Sequence, residues 1–234
     1  MNSKLRLDCL INIQIEIAKK IKIKKIKKQP KLIAGIDVGI NGNLLCGYIA
    51  LLSFPNLEYI DGVYAIKKAN FPYIPSFLTF REVPVIINAY KKLKKKPDLI
   101  FVDGQGITHP RSCGIAAHLG VVLNKPAIGC AKSYLFGDWG MPGKKRGDWT
   151  PIKYNHKKIG IVLRTRDNTK PVFVSPGNLI NFEDCRKFIL ATTKFRIPEP
   201  IRYAHIRAKE IAAYYLSGKS VGRHEATKEA KCLK

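Results

Sequence analysis

Apolar residues in this chain gather in short runs closed by turn formers, a pattern that predicts buried strands alternating with helices. Leu32-Ile33-Ala34-Gly35-Ile36 ends on Asp37, and Leu99-Ile100-Phe101-Val102 ends on Asp103. Between these runs, Leu44 to Ser53 and Leu57 to Lys67 read as two further strands joined by tight turns, so the first three strands suggest an antiparallel meander. Helical spacing marks the segment from Ser76 through Leu93, with Ser76 as N-cap and Pro84 as a break or kink. Gly114 to Leu123 is a second helix and Ala127 to Ala131 a short buried strand. Phe136 to Asn155 is rich in Gly, Pro and Lys and reads as a surface loop. Ile159 to Arg164 and Val172 to Val174 form a hairpin ended by Ser175-Pro176-Gly177; helices follow at Phe182 to Ala191 and Ile201 to Leu216. Leu10 to Ile26 fits both periods, since its isoleucines alternate and also share one helical face; helix is the favoured assignment.

Charge changes this picture of an ordinary globular chain. Of 234 residues, 42 are Lys or Arg against 17 Asp or Glu, a formal net charge of +25. An excess of that size implies a polyanionic partner, with nucleic acid foremost, because Lys and Arg displace counterions from phosphates without reading sequence. Compositional drift toward Lys and Ile is the alternative source. Eight lysines fall between Lys19 and Lys31, either a solvated face or a phosphate-contacting one. The six cysteines are scattered without metal-ligand spacing, which fits reduced thiols in a cytoplasmic protein. Neither a secretory signal nor a membrane span is expected. One domain over residues 1–216 and a basic, disordered tail over 217–234 are expected.

Two strands that each finish on a carboxylate bring Asp37 and Asp103 together if the strands are neighbours. Like charges that close repel, and a divalent cation resolves the conflict. Without such a partner, both aspartates would merely cap turns.

Asp37 after its strand, the loop Pro72-Tyr73-Ile74-Pro75, Phe80-Arg81-Glu82, Asp103-Gly104-Gln105-Gly106-x-x-His109-Pro110-Arg111, Gly129-x-Ala131-Lys132-Ser133, Ser175-Pro176-Gly177 and Arg196-Ile197-Pro198-Glu199-Pro200 occur in that order. Together they resemble the deoxyinosine-specific endonuclease V family, over roughly Leu32 to Leu216. The resemblance implies an α/β, ribonuclease H-like fold, with a central mixed sheet flanked by helices, and a helical first segment. It implies that Asp37 and Asp103 bind Mg2+, with Mn2+ as a substitute, and that Glu82 completes the acidic site directly or through water. It places His205 near the metal as a holder or base for water, and Lys132 at the scissile phosphate. Tyr73 matches a strand-separating wedge on a proline-stiffened loop. The turned-out base would then sit against Pro72, Tyr73, Ile74, Pro75 and Ser76 on one side and Gly104, Gln105, Gly106 and His109 on the other. The position after Pro75 is commonly Gly in the family and is Ser76 here, a departure that narrows base selectivity or simply caps the helix. The implied reaction is hydrolysis of the second phosphodiester bond 3′ to deoxyinosine in DNA, by a monomer. Two alternatives stay open: action on inosine-containing RNA, and a non-catalytic nucleic-acid-binding protein.

Overall fold

A computed structural model describes residues 3–216. Its centre is a nine-stranded mixed sheet. The strands in chain order are β1 (Leu32–Asn41), β2 (Leu44–Ser53), β3 (Tyr59–Lys68), β4 (Leu99–Asp103), β5 (Ala127–Ala131), β6 (Asp138–Trp139), β7 (Trp149–Tyr154), β8 (Lys157–Leu163) and β9 (Val172–Asn178). Their spatial order is β3-β2-β1-β4-β5-β9-β8-β7-β6. The first three strands pair antiparallel, and β1, β4 and β5 run parallel. Side-chain alternation gives the sheet two apolar faces. Ile33, Leu99, Phe101 and Ile128 pack under α4 (Phe182–Ala191) and α5 (Glu199–Leu216). Ala34, Ile36, Ile100 and Val102 pack under α2 (Leu78–Lys91) and α3 (Ile115–Val122). The mixed sheet covered on both faces is the expected α/β architecture.

Several local expectations are corrected. The first helix, α1 (Ser3–Lys19), stops well short of Ile26, and residues 20–31 run without regular structure. Clustered lysines disfavour a helix there, and other segments capture the backbone instead. The Lys22 N–H donates to Asn178 Oδ1 at 3.0 Å, the Leu179 N–H to the Lys22 carbonyl at 2.7 Å, and the Ile26 N–H to Asp184 Oδ2 at 2.8 Å. Asp37 does not end its strand: β1 continues to Asn41 because β2 pairs along its whole length, and the turn shrinks to Gly42-Asn43. Residues 136–155 contain β6 and β7 rather than a plain loop. Ser175-Pro176-Gly177 lies inside β9, where Ser175 pairs with Gly129 and Pro176 with Ile128. Pro176 is tolerated because β8 pairs only as far as Val174, so no ladder hydrogen bond is lost. Pro84 lies within a continuous α2. Ser76 is not the N-cap; Phe77 occupies that position, with no side-chain cap. The expected tail over 217–234 lies outside the described residues. Among those described, five cysteines are all unpaired and no helix is long and apolar enough to cross a membrane.

Candidate active site

The acidic pair follows from strand parity. Ile33, Gly35 and Asp37 share one face of β1, and Leu99, Phe101 and Asp103 share the same face of β4. The two strands run parallel with Ile36 opposite Val102, which sets Asp37 and Asp103 side by side just where the pairing ends. That face belongs to α5. Gly35 and Gly39, flanking Asp37 on it, have no room for a side chain: a Cβ on Gly35 would lie 1.8 Å from the Pro200 carbonyl oxygen, and one on Gly39 2.2 Å from that of Ala208. The helix backbone therefore sits directly on the strand, and His205, between the two contact points, places Nδ1 2.6 Å from Asp37 Oδ2.

Ligand atoms of Asp37, Asp103 and His205 all lie within 4.8 Å of one another. The donor set, two carboxylates and an imidazole at the carboxyl end of the sheet, fits a divalent cation. Burial, then the neighbouring Asp103 charge, pushes the Asp37 carboxyl above its usual range, against the hydrogen bond from His205 that lowers it. Lys132, one residue past β5, offsets the other charge: its Nζ lies 2.6 Å from Asp103 Oδ2. Glu82 stands apart from the expected set. It comes from α2, on the opposite face of the sheet, and is not among the three groups that converge. Burial, followed by the Asp37 and Asp103 charges, lifts its carboxyl to about 8. It is thus close enough to answer to the cluster's charge while lying outside its ligand atoms.

Beside the cluster opens a cavity of about 340 Å3, lined by the Tyr73 to Thr79 region, Asp103 to Gln105, His109 and Lys132 to Leu135. Asp103 belongs to both cavity and cluster, and Lys132, paired with it, lines the cavity as well. Of the residues expected to receive a base, Tyr73, Pro75, Ser76, Gly104, Gln105 and His109 line the cavity, with Tyr73 67% exposed at its mouth. Pro72 and Ile74 do not line it. Gly106 packs against β9, where a Cβ would meet the Pro176 carbonyl. His109 is buried, its Nε2 donating to the Ser76 carbonyl at 2.9 Å. Gln14 of α1 also lines the cavity and was not singled out by sequence, because a glutamine among alternating isoleucines reads as an interruption of an apolar face.

The chain as a whole has counterparts among known proteins. A family model described as Endonuclease V matches residues 15–206. The chain belongs to the Endonuclease V family. The family protein of Petrotoga mobilis is 44% identical over 203 residues, 86% of this chain and 92% of its own length. The crystal structure of Endonuclease V from Streptomyces avermitilis superposes with a TM-score of 0.85 at 31% identity, covering 89% of this chain and 94% of that one. Endonuclease V of Ciona intestinalis, solved with a 24mer DNA containing an inosine followed by a ribo-adenosine, gives 0.79 at 26% identity, covering 90% and 99%.

Proposed function

We propose that the chain is a Mg2+-dependent repair endonuclease that recognises deoxyinosine in DNA and hydrolyses the second phosphodiester bond on its 3′ side. The observation that carries this is the convergence of Asp37, Asp103 and His205 at the rim of a cavity with an exposed tyrosine at its mouth. Asp37 and Asp103 would hold the cation, with Glu82 reaching it through water and His205 beside it on the water to be activated. When bound, it neutralises the acidic cluster and lowers the pKa of water in its coordination sphere.

The remaining work falls to protein groups. Tyr73 stacks into the duplex as the base turns out, which offsets part of the unstacking cost of a few kcal/mol. The cavity, within the about 300–1,000 Å3 usual for ligand pockets, takes the base. Lys132 moves its ammonium from Asp103 toward the phosphate and stabilises charge developing there. With Nδ1 turned to Asp37, His205 presents Nε2 to accept a proton from the attacking water. The new bond joins water oxygen to phosphorus, the P–O3′ bond breaks, and O3′ takes up a proton. The products are a 3′ hydroxyl and a 5′ phosphate, with the base still attached.

A gel assay of a duplex with one internal deoxyinosine and Mg2+ tests this. A nick one nucleotide beyond the lesion's 3′ neighbouring bond is expected; no nick, or one appearing only after alkali, overturns it. A second reading, inosine-containing RNA, is favoured by one observation: the Ciona relative was crystallised with a ribonucleotide directly after inosine. Matched DNA and RNA strands separate the two, since an RNA enzyme needs the 2′ hydroxyl.

A further inference from the structure

In the cavity wall lies a partly buried polar cluster that takes no part in the proposed hydrolysis step. Gln14, fully buried on α1, bridges two parts of that wall. Its Nε2 donates to the Ser76 carbonyl at 2.9 Å and its Oε1 accepts from Arg111 Nε. The reverse amide orientation would set an NH2 against a guanidinium, so the assignment is unambiguous. The same carbonyl accepts from His109 Nε2 and from Arg111 Nη2, each at 2.9 Å, and Arg111 Nη2 also donates to Ser76 Oγ at 2.7 Å. His109 Nδ1 accepts the Arg111 backbone N–H at 3.1 Å, which fixes the imidazole proton on Nε2. The Arg111 guanidinium lies over the Phe77 ring, 4.5 Å from its centroid.

Three side chains thus hold one peptide oxygen, and the peptide they hold is the unusual one. Ser76 has φ +66°, a left-handed conformation that costs a non-glycine residue about 1–2 kcal/mol. It is also the joint between the Tyr73 loop and α2. A joint that a serine enters only under strain needs outside support to stay in one conformation. Gln14 supplies a donor to Ser76 and an acceptor to the arginine that supplies two more.

We propose that Gln14 is a positioning residue for substrate recognition: through Ser76 and Arg111 it locks the Tyr73 loop and cavity mouth in the conformation that receives the turned-out base. This makes the N-terminal helix part of the recognition machinery, and it rests on the base-extrusion function proposed above. Loss of the lock leaves the loop in its competent conformation for only part of the time, so apparent affinity falls by that fraction while the bound complex reacts at its normal rate.

The test is steady-state cleavage of a deoxyinosine duplex by Gln14→Leu, by Tyr73→Ala and by the double variant, with thermal midpoints measured alongside. Gln14→Leu is expected to raise KM about tenfold with kcat within twofold of the parent, and to add little once Tyr73 is already alanine. Gln14→Glu, which keeps a partner for Arg111 but cannot donate to Ser76, is expected to show the same KM rise and covers a leucine variant that does not fold. An unchanged KM in a folded variant, a fall in kcat instead, or effects that simply multiply in the double variant overturns the proposal. A parent protein that does not nick the duplex at all overturns the function beneath it, not this lock.

Discussion

Glu82 shows at the scale of one residue what the cluster does to its neighbours. Its carboxyl rises from 4.5 to about 8 because it is buried and faces the charges of Asp37 and Asp103. A raised carboxyl favours the folded state while protonated, so that stabilisation is complete below pH 4.5 and gone above about 8. Metal-stripped protein should therefore lose a few kcal/mol of stability across that window, and Glu82→Gln should flatten the dependence and raise the midpoint near pH 8. Denaturant melts of both proteins in chelator from pH 5 to 9 check this. The same residue marks how far sequence could go. Asp37 and Asp103 were legible because a charge closing an apolar run has few reasons to be there. Glu82 and His205 are single polar residues on amphipathic helices, where the period predicts polar positions anyway; only the family resemblance raised them. Gln14 carried no signal in a linear pattern, and Ser76 stood out only as a departure from the resembled family's common Gly and as a helix cap, since both roles depend on partners up to 97 residues away.

Among the elements, α5 and β1 decide the site. With Gly35 and Gly39 on the face that carries Asp37, helix backbone meets strand backbone, and the distance between them is set by main-chain contact. Alanine at Gly35 or Gly39 should destabilise by about 1–3 kcal/mol as the helix is forced away. Cleavage should fall more than tenfold even at temperatures where the variants remain folded, because His205 moves with the helix. Melts and single-turnover rates on the same preparations separate these two effects; a stable variant with full activity would disprove the seating argument. Sequence periodicity found α2 to α5 and most strands because each buries one regular face. It failed where outside contacts override local preference: residues 20–31 are held by Asn178 and Asp184, β7 exists through pairing with β8, and β6 through pairing with β7.

For the molecule as a whole, the net charge of +25 and the acidic cluster pull in opposite directions, and that tension predicts two salt effects. Polyanion binding releases counterions, so kcat/KM on any duplex should fall steeply and linearly on a log–log plot against monovalent salt. Divalent cation acts locally instead: a few millimolar Mg2+ should raise the thermal midpoint of the parent by several degrees, with the gain largely lost in Asp37→Asn or Asp103→Asn. Calorimetric scans with and without chelator at fixed ionic strength distinguish the two.

Asp103 belongs at once to the cavity and to the cluster. On the proposed function, the chamber for the base and the place of hydrolysis are both fixed to the same end of one short strand, with no hinge between them. An enzyme built this way does not search along the backbone after capture. The offset from lesion to cut is a dimension of the protein, and it should stay the same whatever bases flank the lesion.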